Sequence, residues 1–160
     1  MEINHEYQKA LSKIVNYCEY QERCVKQIDD KIYKLELPQK QKEEIKKFLI
    51  DNKYVDDERY ATMFVESKIN KAWGRIKIRY ALKGNGIDDE IIQNVFEEID
   101  IEEYTDNLRN LISQKKDRLK SGLNFYEQKQ KIALFLQSKG YESNIIFEEL
   151  NNLNSDNEQR

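Results

Sequence analysis

Apolar residues recur along this chain at the three- and four-residue spacing of helices that face a core, and polar breaks interrupt them at regular distances. Val25, Ile28, Ile32 and Leu35 form one stripe, Leu37 closes it, and Pro38 follows where a first helical turn tolerates a missing N–H. Asp56, Asp57 and Glu58 make an acidic entrance to a helix carrying Tyr60, Ala61, Phe64, Val65 and Ile69. Gly84 and Gly86 end the next pattern, and Asp88, Asp89 and Glu90 open another with Ile91, Ile92, Val95, Phe96 and Ile99. Carboxylates at such entrances cap free N–H groups and favour the positive end of the helix dipole, by about 0.3 to 1 kcal/mol each, so capping accounts for these acidic pairs without a metal.

Sliding the chain against itself aligns Ile28, Ile32 and Leu37 with Ile78, Leu82 and Ile87 at an offset of 50 residues. A third copy, 54 residues further on, supplies Ile132, Leu136 and Tyr141, and the match runs on from Ile91, Ile92, Phe96 and Ile99 to Ile145, Ile146, Leu150 and Leu153. The helix stops match as well: Leu37-Pro38, Gly86-Ile87-Asp88 and Gly140-Tyr141-Glu142. The expected fold is therefore all-α, three tandem three-helix repeats at 4–51, 57–99 and 101–153, with a polar, frayed tail at 154–160. With 36% charged residues the chain lacks the apolar content for one large core, so stacked units in an elongated, curved array are expected.

Composition narrows the class further. No run approaches the roughly 18 apolar residues that span a bilayer, and the N-terminus lacks the basic-then-apolar order of a signal peptide, so a cytoplasmic protein with no membrane partner is expected. Cys18 and Cys24, read within one helical pattern, point away from each other and are expected as reduced core thiols. His5 is the sole histidine, and the chain carries no metalloprotease, P-loop or serine-hydrolase pattern, which predicts a protein that is not an enzyme and needs no cofactor or metal. The lack of a long heptad seam predicts a monomer.

The net charge of -3 hides an uneven distribution. Residues 67–87 hold Lys68, Lys71, Arg75, Lys77, Arg79 and Lys83 and no acid, a local +6 that leaves -9 elsewhere. On a helix from about Gly74 to Lys83, Arg75, Arg79 and Lys83 share one edge while Ile78, Ala81 and Leu82 lie on another. The edge is either a solvated face or a surface for phosphates or an acidic partner. Trp73 among them could stack on a base, cover an arginine or fill the core. A weaker basic stretch, Lys115, Lys116, Arg118, Lys120, Lys129 and Lys131, is diluted by Asp117 and Glu127, and its neighbours Phe125 and Tyr126 read more readily as packing than as a stacking platform.

Three three-helix units, the run Val55-Asp56-Asp57-Glu58-Arg59-Tyr60-Ala61, and Trp73-Gly74-Arg75-Ile76-Lys77-Ile78 leading to Leu82 and Gly86-Ile87-Asp88 together resemble the RecX family of recombination regulators. The likeness covers about 8–153 and is most specific over 54–99; Tyr20-Gln21-Glu22-Arg23 and Lys139-Gly140-Tyr141 fit more loosely. The resemblance implies a cytoplasmic protein that binds the RecA recombinase filament on single-stranded DNA and restrains recombination, ATP hydrolysis and co-protease activity. Direct contact with single-stranded DNA stays open, and the acidic pI of 5.4 makes it weak. Carried onto this chain, the motif implies that Asp57, Tyr60, Ala61, Trp73, Gly74, Leu82, Gly86 and Ile87 support the fold. Lys68, Lys71, Arg75, Lys77, Arg79 and Lys83 become the candidates for contact with RecA or DNA. A stand-alone single-stranded nucleic-acid-binding module is the competing reading.

Overall fold

The structure, a computed structural model, describes residues 4–158. Among them the chain forms helices and no strand: α1 His5–Tyr20, α2 Val25–Tyr33, α3 Gln39–Asp51, α4 Asp57–Asn70, α5 Arg75–Gly84, α6 Asp89–Glu97, α7 Ile101–Arg118, α8 Phe125–Ser138 and α9 Ser143–Glu158. They follow one another as three tandem triplets. Helix α9 continues past position 153, where the sequence places the end of the third repeat, through 158; 159 and 160 lie outside the described residues.

Local chemistry sets the helix starts. Asn4, Asp100 and Asn124 cap α1, α7 and α8 by accepting backbone N–H groups of the first turn. Asp56 does the same for α4, its Oδ1 accepting from Glu58 N at 2.9 Å and Arg59 N at 3.1 Å. Pro38 occupies the cap of α3 itself, one position earlier than the helical turn the sequence suggests, and its carbonyl accepts from Lys42 N. The chain also breaks where the cysteine spacing suggests one continuous helix: Gln21 is extended, so Cys18 ends up in α1 and Cys24 at the entrance of α2. Both thiols are free and buried, and burial pushes each above the ordinary thiol value.

The register of the internal repeat coincides with burial at most of its positions, Leu37 being half-buried and Leu153 39% exposed. Ile28 and Ile78 are fully buried and Ile132 nearly so; Leu82, Leu136, Ile92 and Ile146 are fully buried. The stop after the middle helix is built alike in the second and third triplets: Gly86 N donates to Lys83 O and Ile87 N to Leu82 O, as Gly140 N donates to Gln137 O and Tyr141 N to Leu136 O.

The chain divides into two compact units, Met1–Phe64 with Leu82–Val95, and Val65–Ala81 with Phe96–Arg160. The core of the first holds Ile14, Cys18, Ile28, Ile32, Ile45, Leu49 and Val55. In the second, Tyr104, Leu108, Ile112, Leu136, Tyr141, Ile146 and Leu150 are buried.

Candidate functional site

The acid-free segment begins with a sharp exit from α4. Ala72 takes a left-handed φ of 58°, its N–H and that of Trp73 closing on Ile69 O and Lys68 O. The first N–H groups of α5 would otherwise be orphaned, and those of Gly74, Arg75 and Ile76 find partners outside the helix. Gly74 N donates to Lys139 O at 2.8 Å, Ile76 N to Gly140 O at 3.0 Å, and Arg75 N to the Tyr104 hydroxyl at 2.9 Å. Gly74 and Gly140 permit this approach because neither has a Cβ: one on Gly74 would overlap the Gly140 carbonyl, and one on Gly140 would strike Lys77.

Arg75 is bound into that junction. Its Nε donates to Glu142 Oε2 at 2.8 Å, its guanidinium lies 4.6 Å from the Tyr104 ring centroid, and the Tyr104 hydroxyl donates to the other Glu142 oxygen. Burial alone would lower the Arg75 pKa, but the hydrogen bond and charge of Glu142 outweigh it and hold the value above the ordinary one. The other cations sit differently. Lys68 and Lys77 place their ammonium groups 4.4 and 4.0 Å from the half-buried Trp73 ring, Arg79 lies 5.1 Å from the Phe96 ring, and Lys71 is exposed. Lys83 is exposed and pairs with Asp89 at 3.0 Å. Beside the cations, α5 also exposes two apolar side chains, Ile76 and Tyr80, 56% and 83% exposed.

The remaining motif residues are structural in placement. Asp57 accepts from Val25 N at 2.8 Å, capping α2 rather than its own helix, and burial raises its pKa while the Val25 N–H pulls it down. The Tyr60 hydroxyl accepts from Asn85 at 3.0 Å, and its ring stacks on Phe64. Ala61, Leu82 and Ile87 are buried, and Gly86 turns the chain at φ 74°. In the second basic stretch, Phe125 and Tyr126 stay largely exposed, 47% and 68%, where the sequence favours packing. Lys115 lies beside the Phe135 ring and Lys129 donates to Asn151.

Sequence reasoning missed Tyr104 and the role of Glu142. The acid after Gly140-Tyr141 aligns with Asp88 after Gly86-Ile87, a visible signal; its pairing with Arg75, 67 positions away, left none. Tyr141 lies beside this network, its ring 5.1 Å from that of Tyr104, and its buried hydroxyl has no partner among the described residues. Burial, with Glu142 adding, pushes Tyr141 up to about 12; burial and then the bond to Glu142 push Tyr104 up as well. Above pH ~10 the unfolded tyrosines ionise while the folded ones keep their protons. Stability present below pH ~10 is therefore lost as pH rises towards the folded values, by about 1.4 kcal/mol per pH unit for each. Tyr141→Phe removes an unsatisfied hydroxyl and should be neutral or stabilising by up to about 1 kcal/mol at pH 7, with a shallower alkaline loss. Urea unfolding at pH 7 and 11 tests both; a loss above about 1 kcal/mol at pH 7 would mean that the hydroxyl is bonded.

Fold and site together define a tandem three-helix-repeat protein whose middle triplet presents cations around an aromatic ring. Sequence models of the RecX family match it, the second three-helix domain at 56–95 and the third at 102–150, together more than half of the chain. The chain belongs to the RecX family. It is 32% identical over 98% of its length to a regulatory protein RecX of Bacillus mycoides, covering 59% of that protein. With a regulatory protein RecX of Oceanobacillus iheyensis it shares 32% over 86% of its length, covering 51% of the relative. It thus spans between half and three fifths of these relatives. Among solved structures, RecX from Lactobacillus salivarius superposes with a TM-score of 0.81 at 27% identity, covering 91% of this chain and 97% of that one. No helix among the described residues is long and apolar enough to cross a membrane.

Proposed function

We propose that this chain is a non-enzymatic regulator of the RecA recombinase. It binds the RecA filament on single-stranded DNA as a cytoplasmic monomer and mainly inhibits recombination, ATP hydrolysis and co-protease activity. The observation that carries this reading, beside membership of the family, is the acid-free 67–87 segment, where Lys68 and Lys77 lie over the Trp73 ring and Arg79 over the Phe96 ring. Ile76 and Tyr80 on the same helix offer apolar surface to a protein partner. Within the segment Lys71, Lys77 and Arg79 are the principal contacts, joined by Lys68. Arg75 and Lys83 contribute less, because Glu142 and Asp89 already meet their charges.

The test is single-stranded-DNA-dependent ATP hydrolysis by RecA, titrated with this protein. Reversing Lys71, Lys77 and Arg79 to Glu should raise the half-inhibiting concentration by at least about tenfold while the helical circular dichroism is retained. Unchanged inhibition would refute the contact assignment. A parallel anisotropy titration of fluorescent oligo(dT) without RecA addresses the stand-alone nucleic-acid module, which requires binding at low salt that falls steeply as salt rises.

A further inference from the structure

A cleft of about 440 Å³ opens in the first triplet, within the size range of small-ligand sites. Lys13, Arg23, Lys31 and Lys34 line it together with Tyr17 and Tyr20, and no carboxylate does. In a chain of net charge -3, four cations around one cleft are a local reversal. Arg23 is its base: 8% exposed, donating through Nε to Tyr17 O at 3.0 Å, with the guanidinium 3.6 Å from the Tyr17 ring centroid. Lys31 brings a second cation to the same ring, its ammonium 4.7 Å from the centroid. Among the described residues no carboxylate pairs with Arg23. A ring face and one carbonyl attract a buried guanidinium but do not neutralise it, and a second cation at that ring adds repulsion. An anion between them removes both costs.

The rim narrows the kind of anion. Tyr20, at the end of α1, is 83% exposed and presents a flat π-face beside the cations. Cations for a phosphate with an aromatic face for a base are the two elements of sequence-tolerant nucleotide binding. A carboxylate-bearing peptide would use the charge and leave the ring idle.

We propose that this cleft binds a phosphate-bearing nucleotide, with Arg23, Lys31 and Lys34 taking the phosphate and Tyr20 stacking on the base. The proposal rests on the reading that the protein works on single-stranded DNA, and adds a foothold for the strand on the first triplet. Arg23 also fastens Tyr17, so the test leaves it intact and uses the exposed Lys31, Lys34 and Tyr20.

The full chain, labelled with nitrogen-15, is titrated with p(dT)5, dTDP, inorganic phosphate and hexaglutamate. The amides of Tyr20, Arg23, Lys31 and Lys34 should shift with p(dT)5. Lys31→Ala with Lys34→Ala should weaken p(dT)5 binding about tenfold and flatten its salt dependence by about two counterions. Tyr20→Ala should weaken p(dT)5 and dTDP about fivefold or more and leave phosphate binding unchanged. Tighter binding of p(dT)5 than of dTDP identifies a strand as the source, and equal binding a free nucleotide; both support the site. Cleft amides that do not move, a double variant that binds as before, or hexaglutamate bound as tightly as p(dT)5 would each overturn it. Lys77→Ala with Arg79→Ala, run in parallel, separates the two surfaces: loss confined to that variant sinks the cleft, and loss confined to the cleft variants places the strand in the cleft and leaves the α5 contact with RecA to the ATP-hydrolysis test.

Discussion

Gly140→Ala should cost roughly 3 to 5 kcal/mol, a large part of the stability of a protein this size. Two penalties combine. At φ 93° an L side chain is strained by about 1 to 2 kcal/mol. The new methyl would also enter space held by Lys77 Cβ and backbone, atoms of a helix that cannot swing aside. The other glycines separate the two terms. Gly122, at φ 91° with nothing near its Cβ position, carries only the first, so Gly122→Ala should cost about 1 to 2 kcal/mol. Gly84 ends α5 with open space around it, and Gly84→Ala should be neutral or stabilising by up to about 1 kcal/mol. Urea denaturation of the three variants gives the ranking. If Gly140→Ala were no worse than Gly122→Ala, the start of α5 would not be pressed against the turn after α8.

How far the sequence reaches is visible in the same residues. Apolar spacing located the helices, and the three-copy register landed on Ile28, Ile78, Leu82, Ile92, Leu136 and Ile146, all fully buried, because both depend on periodicity along the chain; it also took in Leu153, 39% exposed, and passed over the fully buried Ile45, Leu49, Tyr104 and Leu108. The glycine stops were legible for the same reason. Close packing was not: Gly74 reads as a motif glycine, but that it lies against Gly140 depends on two stretches 66 positions apart. Asp57 likewise reads as a cap and is one, for α2 rather than for α4. Charge counting found the cation-rich segment, yet could not separate Arg75, committed to Glu142, from Lys71, paired with no acid among the described residues, since partners come from elsewhere in the chain. The N-terminal cleft escaped because its cations are spread over α1, the break at 21–24 and α2, among acids that point elsewhere.

That division of the cations leads to the second large effect. Glu142→Ala should cost about 2 to 4 kcal/mol, because it strips the counter-charge from a guanidinium whose side chain is only 27% exposed and leaves the buried Tyr104 hydroxyl without its acceptor. Tyr104→Phe should cost about 1 to 3 kcal/mol, since the N–H of Arg75 then loses its acceptor at the start of α5. The double variant should fall short of the sum by about 1 kcal/mol or more, because both changes break the same hydrogen bond. Arg75→Ala should destabilise in the same range as Glu142→Ala, and inhibition of RecA should weaken with it as the cation-bearing helix loses its anchorage. Lys71, Lys77 and Arg79 should behave the other way, with inhibition falling at nearly constant stability. Urea unfolding and RecA ATP hydrolysis measured on the same preparations place each cation in one group or the other. An Arg75→Ala protein as stable as the parent but unable to inhibit would move Arg75 from the anchorage of α5 to its contact surface.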